Sequence, residues 1–434
     1  MREILYLLNP HWLGKALPVG ILRPQYLHSI LANLDRREVQ ILIGSRRVGK
    51  TTLMFQAIGQ LIAETKAQPD EILYISLDHL ALGDTPLPKL LETFRAEFQH
   101  PRDRRLYVFL DEVQSSPNWA QHLKNILDFE DVRFCAAGSS SLLIERQGVY
   151  LTGRSMRTTV FPLSYREFLN FKNALPGPTE EYQHDGLLIE YLYQGGYPEQ
   201  ILVPHPTYLA DLLDAVINKD IIRAHNIKNP DILNKLLPLL AQRIGQRTSY
   251  SKLKNILRVS QDVVRDYIQY LMAAYLIGEV PKFSYSTNEQ VYAEKKYYFA
   301  DTGLRTATIG RRDLGGLAEN ALYLYLQKRF GQVFYGRANS YETDFVVLDH
   351  GQSQIFEAKF TEHINDEELK PILKFIEKIP GGDSASKVKN VLVATRNLAG
   401  VRAFGDIKIN LVPLWTLLLG ESRTEFSNFE QKQI

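Results

Sequence analysis

At 434 residues the chain has room for about two to four domains of ordinary size. Its 45% hydrophobic and 23% charged residues exclude disordered, collagenous and disulfide-scaffold classes, and the lone Cys135 excludes a multi-cysteine zinc site. Lysine plus arginine number 51 against 49 acids, so no chain-wide field marks a nucleic-acid binder and any basic surface must be local.

Taken in chain order, residues 4–8 are apolar but are broken by Asn9 and Pro10, and no small-residue cleavage pattern follows. The apolar segment 411–419 is too short for a membrane span, so a cytoplasmic protein without a membrane partner is expected. Residues 39–43 (VQILI) read as a strand, 44–52 as a loop and 53–63 as a helix. The runs 71–77 and 106–110 each end in acidic residues, and 132–137 ends at Gly138. Strands alternating with helical stretches predict a parallel α/β sheet, the first domain, over 1–160.

After Phe161 and Pro162 the pattern changes to short amphipathic helices, a helical lid over 161–230. A third domain is expected over 231–311. Within it, residues 243–275 carry six basic residues (Arg243, Arg247, Lys252, Lys254, Arg258, Arg265) against Asp262 and Asp266, the local patch that the total conceals. Two helices flank the turn at 258–260, with Ser260 capping a helix over 261–274. Val264, Ile268, Leu271 and Tyr275 then face the core, and Gln261, Asp262, Arg265 and Gln269 face outward. Strands at 277–283 and 296–300, joined by a polar loop, complete a winged helix. Lys252, Lys254 and Arg258 suit phosphate contacts with DNA; a protein-contact module is the alternative. The last domain, 312–434, reads as helix 314–330, strands 332–337, 341–348 and 353–360, helix 365–378 and strand 389–395, with a loop at 380–386.

Gly44, Ser45, Arg46, Arg47, Val48, Gly49, Lys50 and Thr51, followed by Thr52, match G-x-x-x-x-G-K-[ST] between a strand and a helix. Glycines let backbone N–H groups close around phosphates, and the helix N-terminus favours their charge. Lys50 is expected on the β and γ phosphates and the Thr51 hydroxyl on Mg2+. Asp111, at the end of an apolar strand, joins the metal side, and Glu112 is the candidate general base. Ser139 or Ser140 is placed to sense the γ-phosphate, with a simple turn serine as the alternative, and Arg154 or Arg157 is the candidate arginine finger.

These pieces resemble the AAA-superfamily ATPases of prokaryotes that carry a C-terminal domain of the DUF4143 type. The resemblance rests on GSRRVGKTT, LDEVQ with PNW, AAGSSS, GR leading to FPLSYREF, GGYPE, FADTGL, and ETDFVV with FEAK, in family order over nearly the whole chain. It implies ATP and Mg2+ as cofactors, with Lys50, Thr51, Asp111 and Glu112 in the hydrolytic roles and Ser139 or Ser140 as sensor. A protein partner or a homo-oligomer is also expected.

A hairpin closing at His350–Gly351 puts Asp344 opposite Glu357 and Glu342 opposite Lys359. Opposed carboxylates repel, which asks for a shared proton or a cation. The pattern D-x12-E-A-K resembles the PD-(D/E)xK nuclease core, which implies that Asp344 and Glu357 hold magnesium, that Lys359 activates water or stabilises charge, and that Glu319 is the additional acid. The proline usual before the first acid is absent. The expected protein is therefore a Mg2+-dependent ATPase coupled to nucleic-acid binding or remodelling. The alternatives are an ATP-regulated DNA nuclease and an ATP-switched adaptor with an inactive nuclease-like platform.

Overall fold

The computed structural model describes residues 1–82, 85–139, 144, 148–379 and 388–420; Ser140 and the loop expected at 380–386 lie outside them. The chain divides into two compact units, Met1–Phe161 with Ala273–Tyr275, and Pro162–Met272 with Leu276–Ile434.

In the first unit the helices are α1 (Arg2–Leu8), α2 (Pro24–Leu34), α3 (Lys50–Ala63), α4 (Leu87–Phe98) and α5 (Trp119–Phe129). The strands are β1 (Val39–Ile43), β2 (Ile72–Ser76), β3 (Leu106–Asp111), β4 (Val132–Gly138) and β5 (Ser155–Thr159), all parallel, in the order β2-β3-β4-β1-β5. Ile41, Ile75, Val108, Leu110, Phe134 and Ala136 are buried in one core, as expected for strands covered by helices on both faces. β1 lies between β4 and β5, so the loop that leaves it emerges mid-sheet, flanked by the ends of neighbouring strands.

Two elements were not legible in the pattern. The polar sequence SMRTT of β5 gives no strand signal, and its pairing to β1 supplies what its side chains do not. The first residues form α1 and then close the β2 edge. The buried Asn9 side chain accepts the Tyr74 N–H at 2.7 Å and donates to the Tyr74 carbonyl at 2.9 Å, as a neighbouring strand would. The Trp12 indole donates to the Ile72 carbonyl at 2.8 Å. An otherwise open row of backbone groups is thereby covered.

The second unit opens with α6 (Tyr165–Phe171), α7 (His184–Gln194), α8 (Pro198–Leu202), α9 (Tyr208–Ala215), which runs into a π-helical turn at Val216–Arg223, and α10 (Pro230–Gln242). Then come α11 (Tyr250–Leu257), α12 (Gln261–Ala273), β6 (Ile277–Val280), α13 (Thr287–Tyr292) and β7 (Lys296–Phe299). β6 and β7 pair antiparallel, and their connection holds the helix α13 where a polar loop was expected. Ser260 accepts the Val263 N–H at 3.3 Å at the start of α12. Val264, Ile268 and Leu271 are fully buried, whereas Tyr275 is half-buried with φ +56°.

Next follow α14 (Thr302–Ile309), α15 (Leu314–Phe330), β8 (Phe334–Ala338), β9 (Tyr341–Asp349), β10 (Gln352–Lys359), α16 (Asp366–Glu377), β11 (Val388–Thr395), β12 (Gly400–Phe404), β13 (Ile407–Pro413) and α17 (Leu414–Leu419). Six strands form one mixed sheet, β12-β13-β11-β10-β9-β8, parallel at β10–β11 and β11–β13. Residues 162–230, expected as a lid, fall in the same compact unit as this sheet. Two polar contacts are part of what joins them. Buried Asp301 caps α14 through the Leu304 N–H and also accepts the Gly196 N–H at 2.6 Å, while Arg396 grips the Asp185 carboxylate with two bonds of 2.7 Å.

Burial raises the Asp301 carboxyl from 3.8 to about 6. A folded-state value above the unfolded one contributes stability at low pH that is lost as pH rises through the folded value. The stability of wild type relative to Asp301→Asn is therefore expected to be greatest below about pH 4 and to shrink as pH passes about 6, measured as urea unfolding free energies of both proteins across that range.

Candidate functional site

The loop from β1 to α3 is shaped by two glycines. A Cβ on Gly44, at φ +153°, would meet the Val160 carbonyl oxygen at 2.3 Å, and Gly49 turns into α3 at φ +96°. Both positions exclude a side chain, one by space and one by conformation. Ser45, Val48 and Lys50 are buried, and Arg47 is left-handed at φ +65°. The Lys50 ammonium donates to the Gly44 and Ser45 carbonyls at 2.9 and 2.8 Å, which holds it over the loop. Thr51 and Thr52 follow Lys50 in the first turn of α3, and Thr51 donates to Asp111.

Asp111 ends β3 as a buried carboxylate. Besides Thr51, it accepts the Tyr74 hydroxyl at 3.2 Å and the Glu112 N–H at 3.0 Å. Burial raises its carboxyl above the usual range, against the hydrogen bond from Thr51 and the charge of Lys50. A hydroxyl and a carboxylate side by side are the oxygen donors a hard cation takes, with phosphate and water completing its shell, so these residues fit Mg2+.

Glu112 stands in the left-handed region at φ +50°, a conformation that costs a non-glycine residue about 1 kcal/mol or more. That backbone turns its side chain away from the strand. Its carboxylate accepts from Gln114 and, at 3.2 Å, from the Ser139 hydroxyl; Gln114 also donates to Ser139 at 3.2 Å. Burial raises the Glu112 carboxyl, with Lys50 and Arg46 opposing the rise. A carboxylate moved upward and fixed by two donors suits proton abstraction from water.

Arg154 does not join this group. Its carbonyl pairs with the N–H of Val39, at the opposite end of β1 from the loop, and its guanidinium pairs with Asp128. Five residues of β1 separate the two ends, about 15 Å at strand rise, so Arg154 is corrected out of the set acting on its own chain's loop. Arg157 is exposed on β5. Arg23, Tyr74 and Gln114 were missed. Buried Arg23 braces the loop from outside, donating to the carbonyls of Val48 and Phe161 at 3.0 Å each. Only Gln114, two residues past the acidic pair, carried any local signal.

In the second unit, the β9–β10 hairpin pairs as expected from Gln352↔Asp349 to Phe356↔Phe345. Beyond that point side chains replace the ladder: Asp344 accepts the Ala358 N–H and Glu357 accepts the Asp344 N–H, both at 3.0 Å. The expected Glu342–Lys359 pair is not formed. Glu342 meets Lys296 at 3.1 Å and Arg247 at 2.7 Å, and Lys359 turns along its own strand to Glu357 at 2.9 Å. The cause is a bulge: Phe334 pairs with Val346 but Gly336 with Thr343, so β9 holds one extra residue there. Glu319, on α15, accepts the Tyr298 hydroxyl at 2.6 Å, and burial together with Asp344 raises its carboxyl to about 8. Among the described residues no group of three His, Cys, Asp or Glu is placed to hold a metal ion.

Among the described residues no helix is long and apolar enough to cross a membrane. Residues 36–169 match the AAA_14 family, an AAA domain, and residues 185–314 match DUF8612, a domain of unknown function, where the resemblance pointed to the DUF4143 type. An uncharacterized protein of Methanocaldococcus jannaschii is 27% identical over 399 residues, 87% of each chain. One of Haemophilus influenzae is 26% identical over 339 residues, 75% of this chain and 84% of that one. Among solved structures, a Walker-type ATPase of Pyrococcus abyssi has a TM-score of 0.45 at 14% identity, covering 67% of this chain and 96% of its own. The Orc1 protein of Aeropyrum pernix in complex with DNA has a TM-score of 0.33 at 13% identity, covering 67% and 94%. Residues 36–169 are thus similar to the AAA domain of the AAA_14 family.

Proposed function

We propose that the protein is a Mg2+-dependent ATPase whose nucleotide state is coupled to nucleic-acid binding. The observation that carries the ATPase half is the convergence of Lys50, Thr51 and Asp111 at one end of the sheet, with Glu112 held beside them by Ser139 and Gln114. Thr51 and Asp111 would hold the metal, which would neutralise phosphate charge. Lys50 moves from the loop carbonyls to the phosphates, and Glu112 takes the proton of the attacking water. Arg154 serves as a finger only toward the loop of a second copy.

The nucleic-acid half rests on the basic helix pair. Lys252 and Arg258 are exposed beside α12, whose outward face carries Gln261, Asp262, Arg265 and Gln269. Arg265 is tied to Asp262 at 2.8 Å, which takes it from base readout and leaves Lys252, Lys254 and Arg258 for backbone contacts. In a winged-helix arrangement, β6 and β7 form the wing. The test is incubation of the protein with single- and double-stranded DNA, with and without ATP and Mg2+, scoring binding, cleavage and phosphate release together. Salt-sensitive DNA binding is expected, and changing Lys252, Lys254 and Arg258 to alanine should lower the slope of log affinity against log salt by roughly 2 to 3. An unchanged slope removes these residues from the interface.

The grouping of Asp344, Glu357, Glu319 and Lys359 supports a nuclease reading of the last domain, whereas the placement of Lys296 among the acids favours an inactive platform. DNA binding without Mg2+-dependent cleavage selects the platform, and cleavage lost in Asp344→Ala selects the nuclease.

A further inference from the structure

The carboxylates Glu319, Glu342, Asp344 and Glu357 gather on β9, β10 and α15, and the side chain that reaches into them comes from β7. The Lys296 ammonium, with its side chain 2% exposed, lies 3.1 Å from Glu342, 3.4 Å from Asp344 and 3.8 Å from Glu319. We propose that Lys296 is the cluster's own cation, so that this end of the sheet is a metal-independent ionic joint fastening β7 to β9 and α15 rather than a magnesium centre.

The distribution of partners supports this. Asp344 gives one oxygen to Lys296 and the other to the Ala358 N–H. Glu357 gives one to Lys359 and the other to the Asp344 N–H and the Thr343 hydroxyl. Glu342 gives one to Lys296 and the other to Arg247, and Glu319 receives the Tyr298 hydroxyl. A magnesium ion needs oxygens converging at about 2.1 Å on one point; here the point on which Glu342, Asp344 and Glu319 converge is taken by the Lys296 ammonium, and Glu357 turns to Lys359 instead. A divalent ion placed between Asp344 and Glu342 would also face the buried ammonium at close range, and like charges repel. Three cations, Lys296, Arg247 and Lys359, therefore stand against the four carboxylates, with Arg247 also pairing with Glu294 at 2.9 Å. The buried lysine is held charged, since the attraction of Asp344, Glu319 and Glu342 outweighs the burial that would lower its value.

The proposal deepens the platform reading, and the two fail on different measurements: the platform on Mg2+-dependent DNA cleavage, the joint on metal binding. The experiment is Mn2+ titration of the full chain without nucleotide, followed by electron paramagnetic resonance of the free ion, for wild type, Asp344→Asn, Lys296→Met and the Lys296→Met, Asp344→Asn double variant. Wild type and Asp344→Asn are expected to bind Mn2+ alike, because whatever the phosphate-loop end takes up is common to both. Lys296→Met is expected to gain a site at least about tenfold tighter than any in wild type, which the double variant loses. Lys296→Met should also melt at lower temperature, with part of the loss restored by Mn2+. A wild type whose Mn2+ affinity falls tenfold on Asp344→Asn overturns the proposal, and that comparison needs no Lys296 variant to fold. A folded Lys296→Met that gains no Mn2+ site overturns it as well.

Discussion

Glu112→Gln is expected to bind ATP as wild type does and to hydrolyse it about a hundred- to ten-thousand-fold more slowly, the range for loss of a general base. Glutamine keeps one oxygen to accept from Ser139 and Gln114, so the pocket retains its shape while the proton acceptor is lost. The pH profile supplies a second signature. Burial raises the Glu112 carboxyl, and the base acts only when ionised. Wild-type turnover should therefore fall, on acidification, at a higher pH than an ordinary carboxylate would set, and the residual turnover of Glu112→Gln should lack that limb. The measurements are phosphate release across pH and equilibrium binding of a fluorescent ATP analogue. Turnover within tenfold of wild type would remove Glu112 from the base role.

Lys50→Ala is expected to lose nucleotide binding itself. Its ammonium is buried and held by two carbonyls over the loop, where it would meet phosphate oxygens in a largely dehydrated site. Removing one partner of such a charge pair costs about 2–5 kcal/mol, or roughly thirtyfold to several-thousandfold in affinity. The fold should survive, because the change removes two hydrogen bonds within one loop and the helix keeps its Gly49 turn. Calorimetric titration with ATP and Mg2+, beside circular dichroism of the same sample, separates lost binding from lost structure. Binding unchanged in Lys50→Ala would argue that the loop does not hold phosphate.

What could be read in advance was local. The loop and its helix, the acid pair after β3, the Ser260 cap and the β9–β10 register depend on residues within a turn or one hairpin of each other. There, spacing dictates which side chains share a face. Helix periodicity likewise placed Val264, Ile268 and Leu271 inside. The bulge in β9 already escaped this logic, because it answers to β8, and it separated Glu342 from Lys359.

The sequence by itself determined the glycine-rich loop between a strand and a helix, Asp111 and Glu112 at the end of an apolar strand, and much of the strand-and-helix order, without α1, β5, α13, β12 and β13. Their signals are periodicity, glycine geometry and charge within short windows. Only the tertiary structure decided that Arg154 lies at the far end of β1, that Asn9 closes the edge of β2, that Tyr74 and Gln114 hold the two acids, and that Lys296 occupies the carboxylate cluster. Each of these depends on which segments pack together. Lys296 and Asp344 are 48 positions apart, and Asn9 and Tyr74 are 65 apart. A polar side chain carries no record of its distant partner; the cost of burying it unpaired, felt only in the folded molecule, selects that partner.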